Sequence, residues 1–374
     1  MKFICAVRFK RGMDIEQYLK EKQHHLVRSS SRIKDFSVFD FNYVPPKPFM
    51  REEVKPVIDA LLRYQQTGIA NNVLVLGCRG SGKSVMAKYL INALSPMGKL
   101  SFAYINCRES NSSFKILASL LKVEPRGYSL DELWQRFTGS FKSRTVLILD
   151  EVDLMSERDR YKDILYLLSR SPNNYCVILL SNNHKFINNL DESTRSTLQP
   201  EIIHFRSYNA REVQQILIDR AEIGLKSMPN QIINQIAAMT VKNTNSDVRV
   251  AIKTLYRWAL EPELPLQETF EQARRDIMID VVKDLNDKNI IILKAAMGQA
   301  DGYVKDVYKE YCKISSQHRE EPVSYVCFYS NLSYLQSLGL IALVSTKVNR
   351  TYTNRIQVTF DPAVFDAVWV VRFG

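Results

Sequence analysis

The sequence predicts an α/β fold in which a doubly wound parallel sheet is followed by a small helical unit and then by helices with a β-hairpin. Short apolar runs alternate with helical periodicity between residues 73 and 205, which is typical of a parallel sheet with helices on both faces. Residues 209–284 show helical periodicity only, and residues 285–374 read as three helices followed by two strands.

The predicted strands are short and mostly apolar. The run Thr145–Leu149 is apolar after its first residue, as expected of a central strand that is covered on both faces. The five predicted strands of the sheet are Val73–Leu76, Phe102–Asn106, Thr145–Leu149, Cys176–Leu180 and Ile202–Phe205.

Apolar residues recur at helical spacing between and after these strands. In the sheet region we expect two helices within 112–141 and others at Met50–Tyr64, Val85–Leu94 and Arg158–Ser169. The helical unit is predicted to hold Ala210–Ile223, Met228–Thr240, Asp247–Leu260 and Thr269–Asp284. The C-terminal unit is predicted to hold helices Leu285–Ala300, Gly302–Ile314 and Val323–Ser337 and strands Leu340–Ser345 and Arg355–Phe360. Three helices and a hairpin in this order make a winged helix, a variant of the helix-turn-helix.

Composition and charge exclude several classes of protein. The chain has 374 residues, of which 45% are hydrophobic and 24% charged, as in a soluble globular protein of two or three domains. No apolar run is long enough to span a bilayer, and the first residues lack the order of a secretory signal, so we expect an intracellular protein without a membrane partner. The six cysteines show neither zinc-site spacing nor a disulfide framework.

The net charge of +11 points weakly to a polyanionic partner. Residues 1–40 form a predicted basic N-terminal extension with one weak helix near Asp14–Gln23; its first 34 residues hold nine Lys or Arg and three acidic residues. A solvated arm and an arm that contacts DNA both fit this charge.

A phosphate-binding loop is predicted at Gly77–Ser84. Its sequence, Gly-Cys-Arg-Gly-Ser-Gly-Lys-Ser, fits the pattern G-x-x-x-x-G-K-[ST] and lies between a predicted strand and a predicted helix. Glycines let backbone N–H groups turn towards a phosphate, and the helix N-terminus adds partial positive charge. Lys83 can reach the outer phosphates, and the Ser84 hydroxyl can bind Mg²⁺.

Two further strand ends carry polar side chains that suit hydrolysis. Asp150 and Glu151 follow a central strand, at the edge of a parallel sheet where ligands bind. Asp150 would hold Mg²⁺, and Glu151 would act as general base on the attacking water. Asn182 follows the next strand and could orient that water, although an Asn in a turn is often structural.

In order, these segments resemble Walker A, Walker B, sensor 1 and sensor 2 of the AAA+ ATPases, the last at Ser246–Ile252. Tyr43-Val44-Pro45 and the C-terminal winged helix add to the resemblance, which narrows to the archaeal replication initiators, homologues of cell division control protein six and the largest origin recognition complex subunit. It implies an AAA+ α/β domain at 41–207, a helical lid at 208–284 and a winged-helix DNA-binding domain at 285–374.

The resemblance assigns roles to individual residues. Arg249 would act as sensor 2, reaching from the lid to the γ-phosphate, and Asn182 as sensor 1. The set implied to bind ATP or ADP is Tyr43, Val44 and Pro45 beside the adenine, Gly80, Ser81, Gly82, Lys83 and Ser84 at the phosphates, and Asp150, Tyr208 and Arg220.

Two features depart from the pattern or extend it. Arg195 lies near the place of the arginine that acts on a neighbouring subunit's nucleotide, but the aligned position is Thr197, which leaves a trans-acting finger unsupported. Residues 109–130 are the expected counterpart of a family insertion that is used on DNA, with Lys115, Lys122 and Arg126 as its basic residues.

The winged helix implies DNA contacts from its recognition helix and its wing. The recognition helix is uncharged, so we expect it to position the protein on phosphates and to read little sequence. A winged helix that contacts protein is the alternative. The predicted DNA-binding residues are Ser324, Tyr325, Lys347, Arg350, Thr351 and Arg355.

The resulting hypothesis is an ATP-dependent initiator that marks replication-origin DNA and helps to recruit or load the replicative helicase, with slow ATP hydrolysis as a switch. It implies paralogous initiator subunits as partners and a cytoplasmic, nucleoid-associated location. Two other classes stay open: an ATP-binding transcriptional regulator, and an AAA+ helper ATPase without site-specific DNA binding.

Overall fold

The computed structural model describes residues 32–373 except 143, 157, 158, 160, 161, 300, 301, 349 and 350. The predicted helix near Asp14–Gln23 and the first 31 residues of the predicted basic extension lie outside the described residues, as does Arg350 in the wing loop. Among the described residues, no helix combines the length and apolar character needed to cross a membrane.

Five parallel strands form the predicted central sheet, in the spatial order β2-β3-β4-β1-β5. Residues Leu76 and Ser181 are paired in register, and so are Asn106 and Asp150, so the carboxyl ends of four strands meet at one edge. The strands are β1 (Val73–Gly77), β2 (Ser101–Asn106), β3 (Thr145–Asp150), β4 (Cys176–Ser181) and β5 (Glu201–Phe205).

Helices cover both faces of this sheet, because successive strand residues point to opposite sides. Val73 and Val75 pack with α1 and α2, whereas Leu74 and Leu76 pack with α3, α4 and α5. These helices are α1 (Val54–Thr67), α2 (Lys83–Leu94), α3 (Ser113–Leu121), α4 (Leu130–Ser140) and α5 (Asp163–Ser169), followed by α6 (Glu192–Leu198).

Helices α5 and α6 differ from the prediction. Helix α5 begins at Asp163, directly after Lys162, whose backbone is left-handed; Arg158, where the predicted helix begins, lies outside the described residues. Helix α6, of seven residues, was not predicted. Asp191 caps its start, because the Asp191 side chain accepts a hydrogen bond from the backbone N–H of Thr194.

Four helices form the small helical unit: α7 (Ala210–Gly224), α8 (Asn230–Asn243), α9 (Val248–Leu260) and α10 (Leu266–Lys283). Their core also contains Ile33, Val38 and Phe39. The Lys34 amide donates to the Gly224 carbonyl at 2.7 Å. The described end of the predicted extension therefore packs on the helical unit through Ile33, Val38 and Phe39, which are buried, although Phe36 is 48% exposed. It does not act as a solvated arm.

The C-terminal unit contains α11 (Asp287–Gly298), α12 (Val304–Gln317) and α13 (Tyr325–Ser337), then the antiparallel strands β6 (Ile341–Val348) and β7 (Thr351–Val358). This is the predicted order of a winged helix. A further helix, α14 (Pro362–Phe373), was not predicted; it buries Val364, Phe365 and Val368 in the same core.

Candidate nucleotide site

The predicted phosphate loop leaves β1 at the sheet edge and enters α2. Gly80 and Gly82 have φ of +74° and +88°, which side chains rarely tolerate. A Cβ at Gly80 would lie 2.2 Å from Oδ1 of Asp247, and one at Gly82 would lie 2.3 Å from the hydroxyl of Tyr208. The loop therefore combines a glycine-dependent backbone with close packing against the lid and against the segment after β5.

Lys83 is held at the centre of the loop. Its Nζ donates to the carbonyls of Gly77 and Cys78 at 2.7 and 3.0 Å and to Oδ1 of Asn182 at 2.9 Å. The residue is 7% exposed, and burial lowers its pKa to about 8, although the nearby Asp150 carboxylate acts in the opposite direction. A buried ammonium with neutral partners favours an anionic ligand.

Asp150 ends β3 beside this loop and is 2% exposed. The hydroxyl of Tyr104 donates to its Oδ2 at 2.6 Å, and the Glu151 amide donates to its Oδ1 at 2.9 Å. Ser84, in the first turn of α2, lines the same cavity. A hydroxyl and a fixed carboxylate are oxygen ligands that suit a Mg²⁺ ion shared with phosphate and water.

Asn182 connects the ends of two strands to the phosphate loop. Its side-chain Oδ1 accepts a hydrogen bond from Lys83, and its backbone N–H donates to Oδ1 of Asp153 at 3.0 Å. The Ser181 hydroxyl donates to the same oxygen at 2.9 Å. Burial raises the pKa of Asp153, which these donors oppose. Asp153 therefore fixes the backbone that carries Asn182.

Glu151 does not point freely into the cavity. Its backbone is left-handed, with φ of +52°, and both carboxylate oxygens accept from Arg108, at 3.0 Å from Nε and 3.2 Å from Nη2. A bidentate pair of this kind is strong and geometrically fixed. The predicted general base is thus held by a guanidinium in this structure.

Arg249 stands on the lid side of the cavity, in the first turn of α9. Its Nε and Nη2 donate to the two carboxylate oxygens of Asp247, at 2.9 and 2.5 Å. Asp247 also accepts from the Arg249 amide and caps the helix. The predicted sensor 2 arginine therefore lines the site while it is paired with its neighbour.

The predicted adenine side is lined by Tyr43, Val44 and Pro45. The Arg220 guanidinium lies 4.5 Å from the centre of the Tyr43 ring and donates to the carbonyls of Val38 and Tyr43. Arg220 is buried. Arg220, on α7, therefore both lines the cavity and holds the segment that carries Tyr43 in place.

Arg51 supports the phosphate loop from below. Its Nη1 donates to the Ser81 carbonyl at 3.0 Å and its Nη2 to the Arg206 carbonyl at 2.6 Å. Its guanidinium stacks on the ring of Tyr208, 4.4 Å from the ring centre. The stacked guanidinium of Arg51 thus fixes the Tyr208 ring, whose hydroxyl lies beside Gly82.

The cavity between these walls has a volume of about 970 Å³ and is lined by every residue predicted to bind nucleotide. The residues fit a nucleotide with Mg²⁺ on three counts: the two close glycines, the buried ammonium of Lys83, and the paired oxygens of Ser84 and Asp150. Arg249, on the helical unit, lines the same cavity.

Six residues at the site escaped the sequence prediction as functional residues. Asp153 had a signal, since it closes the Leu-Asp-Glu-Val-Asp segment. Tyr104 lies in the predicted strand Phe102–Asn106 and Arg108 two residues after it, and Arg51 follows Tyr43-Val44-Pro45 by six residues. Asp247 lies within Ser246–Ile252, the segment that resembles sensor 2, and pairs there with Arg249. Asp284 reaches the cavity through tertiary packing, for which the chain gives no local sign.

The predicted DNA-binding residues lie in two places on the C-terminal unit. Ser324 caps α13 by accepting from the Cys327 amide, and the Tyr325 ring, 39% exposed, packs on Tyr308. Val326 beside them is 80% exposed and was not predicted. These residues place one end of the helix at the surface.

In the hairpin, Lys347 is exposed on β6, opposite Tyr352, and Thr351 begins β7. Arg355 donates to the hydroxyl of Tyr303 at 2.9 Å, at the base of the hairpin. Its role on DNA stays a prediction, and the structure gives it a contact within the C-terminal unit.

The remaining predicted contacts are on the surface. Lys115, Lys122 and Arg126 are exposed on and after α3. Arg195 is exposed on α6, and the hydroxyl of Thr197 lies 2.8 Å from that of Ser169.

Comparisons with known proteins agree with this architecture. The family model described as an AAA domain matches residues 68–186. An ORC1-type DNA replication protein 3 from Sulfurisphaera tokodaii is 28% identical over 324 residues, which cover 79% of this chain and 81% of that protein. The predicted resemblance to replication initiators is thereby confirmed.

Two solved structures share the fold. The Aeropyrum pernix ORC1 protein in complex with DNA is similar over 91% of this chain and 97% of that chain, with a TM-score of 0.66 and 21% identity. ADPNP-ADP complexes of the Aeropyrum pernix ORC2 protein give a TM-score of 0.61 and 20% identity over 91% of this chain and 99% of that chain. The predicted fold class is confirmed.

Proposed function

We propose that this chain, a homologue of the ORC1-type DNA replication proteins, is an ATP-dependent initiator that binds origin DNA and helps to recruit or load the replicative helicase. The observation that carries the proposal is one chain that joins a phosphate-loop site with an acidic strand end to a C-terminal unit with winged-helix order. The DNA-bound state of Aeropyrum pernix ORC1 supports a DNA role.

ATP or ADP would occupy the cavity, with backbone N–H groups of Gly80–Ser84 and the Lys83 ammonium around its phosphates. Ser84 and Asp150 would hold Mg²⁺, and a bound Mg²⁺ would neutralise part of the phosphate charge. Asn182 orients the water, and Glu151 accepts its proton. Arg249 leaves Asp247 to pair with the outer phosphate.

Slow hydrolysis follows from the state of Glu151. Both of its oxygens accept from Arg108, so the carboxylate must break a bidentate pair before it can take a proton. The nucleotide then acts as a long-lived signal, and the lid reports it, because Arg249 and Arg220 both belong to lid helices.

DNA contact would use the exposed start of α13 and the hairpin. The first turn of a recognition helix is the part that enters the major groove in helix-turn-helix proteins. Ser324 and Tyr325 offer hydrogen-bonding groups there, and Lys347 and Thr351 would follow the backbone or minor groove. Lys115, Lys122 and Arg126 would form a second contact from the α/β part.

The proposal is tested by nuclease footprinting of the full chain on the host's origin fragments and on promoter fragments of equal length. We expect an ATP-dependent footprint on origin fragments, and binding that weakens steeply with salt because Lys and Arg contacts release counterions. Lys83→Ala should remove the dependence on ATP.

Three outcomes contradict the proposal in different ways. A footprint confined to promoters favours the transcriptional regulator. Turnover that is stimulated by a protein and not by DNA, without any footprint, favours the helper ATPase. Unchanged ATP binding in Lys83→Ala refutes the nucleotide site itself. Helicase recruitment is checked separately, by co-sedimentation of the replicative helicase with the DNA-bound chain.

A further inference from the structure

The carboxylates of Glu151 and Asp284 share one guanidinium. Arg108 uses Nε and Nη2 for Glu151, and its Nη1 forms an ion pair with Asp284. Nη1 of Arg79, in the phosphate loop, lies 3.8 Å from the same Asp284 oxygen. Two cations and two anions therefore form one cluster at the edge of the nucleotide cavity.

Asp284 enters this cluster from another part of the chain. It directly follows α10, the last lid helix, and precedes α11, the first helix of the C-terminal unit. The other three members of the cluster follow β1, β2 and β3. A shift of the C-terminal unit relative to the sheet therefore moves the Asp284 carboxylate relative to Arg108.

The C-terminal half of α13 rests on the same edge. Lys185, just after the Asn182 strand end, donates to the Ser333 hydroxyl at 3.3 Å. Tyr334 lies in the field of Asp153, Arg79 and Arg108; burial raises its pKa to about 12. At the end of the helix, Gly339 faces the lid, where a Cβ would lie 3.6 Å from Nδ2 of Asn245.

We propose that Asp284 and the docked half of α13 form an interdomain latch that fixes Arg108 on Glu151 and so withholds the catalytic carboxylate. The inference rests on the proposed function, because it takes Glu151 as the base for ATP hydrolysis. Asp284 and Arg108 are positioning residues that act through Glu151. DNA that draws the C-terminal unit away from the sheet edge opens the latch.

The anchor that Asp284 supplies gives the direction of the effect. With Asp284 present, Arg108 is held by carboxylates at both ends of its guanidinium, so its pair with Glu151 is fixed at the sheet edge. Without the charge of Asp284, Arg108 loses its second anchor and is repelled by the neighbouring Arg79. The Arg108–Glu151 pair is then no longer fixed in place, and the Glu151 carboxylate can move towards the water. Because coupling between sites is reciprocal in binding, ATP should in turn change the affinity for DNA.

The test compares Asp284→Asn with Asp287→Asn in the full chain. Asp287 is a matched control, since it lies three residues further on and forms an ion pair with Arg372 at 3.0 Å. For Asp284→Asn we expect kcat for ATP without DNA to rise about fivefold or more, KM to stay within about twofold, and the response to DNA to shrink. Asp287→Asn should behave as the parent chain does.

A second variant closes the latch. Cysteines in place of Lys185 and Ser333, joined by a short cleavable bifunctional thiol reagent, should hold α13 on the sheet edge. We expect turnover to fall and to lose its response to DNA, and both to return when the reagent is cleaved; in the two variants that carry only one of these substitutions, the reagent should not lower turnover.

The outcomes separate this inference from the proposed function. If Glu151→Gln abolishes turnover while Asp284→Asn matches Asp287→Asn, the function stands and the latch is refuted. Cross-linked protein with full turnover and a full DNA response refutes it as well. If Glu151→Gln retains turnover, the base assignment and the latch fall together.

Discussion

At the scale of single residues, Lys83 joins the nucleotide site to proton binding. Its pKa of about 8 in the free protein results from burial, and phosphate oxygens would restore the charged form. The complex therefore binds more protons than the free protein above pH 8, and nucleotide affinity should fall as the pH rises through that value.

This linkage is measured by titration calorimetry in buffers with different heats of ionisation. We expect uptake of close to one proton per nucleotide at pH 9 and about a tenth of one at pH 7. Lys83→Arg should remove the uptake, because Arg stays protonated; Lys99→Met, on the surface, should not change it. Equal uptake at both pH values in the parent chain contradicts the assignment.

Glu151 is the residue on which hydrolysis depends. Glu151→Gln keeps the shape but loses the base, so we expect kcat to fall about 100-fold or more while nucleotide affinity changes little. Single-turnover hydrolysis and equilibrium binding of a fluorescent nucleotide measure the two quantities. Glu109→Gln, an exposed carboxylate just after β2, is the control; a similar loss there would count against the role of Glu151.

The sequence predicted the residues of the phosphate loop and the acidic strand end because each is a local pattern whose geometry is set by the adjacent strand and helix. It also placed Asn182 directly after the correct strand. It did not predict that Glu151 is held by Arg108 or that Arg249 is held by Asp247. Those pairs depend on side-chain directions that a spacing pattern does not contain.

At the scale of elements, the phosphate loop depends on contact with the lid. Gly80→Ala forces a side chain into a left-handed backbone and towards Asp247, so it should displace the helix cap of α9 as well. Gly98→Ala is a matched control: Gly98 has φ of +68° and no atom within 4 Å of its added Cβ.

We expect both variants to lose about 1 kcal/mol of stability from backbone strain, measured by denaturant unfolding, but only Gly80→Ala to lose nucleotide binding. Equal nucleotide affinity in the two variants contradicts the close approach of lid and loop.

The start of α13 carries the corresponding prediction for DNA. Val326→Asp places a negative charge on a side chain that is 80% exposed, so folding should be preserved while phosphate is repelled. We expect DNA affinity to fall about tenfold or more. Val371→Asp is the control, because it makes the same chemical change on α14, where Val371 is 85% exposed. The affinity of this variant for DNA, measured by fluorescence anisotropy, should equal that of the parent chain.

Helices and strands with a long apolar periodicity were predicted well. Segments whose structure depends on a few buried residues were predicted poorly. The strands agree within a few residues, since the sheet buries nearly continuous apolar runs. Helix α14 and the packing of residues 33–39 were not predicted, because their few apolar residues show no clear period and are buried only by contact with other parts of the chain. The basic residues that precede this segment suggested a solvated arm.

At the scale of the whole molecule, the nucleotide cavity and the C-terminal half of α13 share one edge of the sheet. The lid contributes Arg249 and Arg220 to the cavity, and α13 rests beside Arg79 and Lys185. The proposed latch connects nucleotide state, lid position and placement of the C-terminal unit. A chain that worked in this way would be suited to marking a DNA site in one nucleotide state and releasing a partner in another.

Origin binding is measured by mapping where the protein sits on the chromosome of living cells, by crosslinking and sequencing, beside a map of nascent-strand abundance. An origin-binding initiator should give a few sharp peaks that coincide with replication start sites and that weaken in Lys83→Ala. Peaks at promoters away from any start site, or uniform occupancy along the chromosome, would refute origin binding.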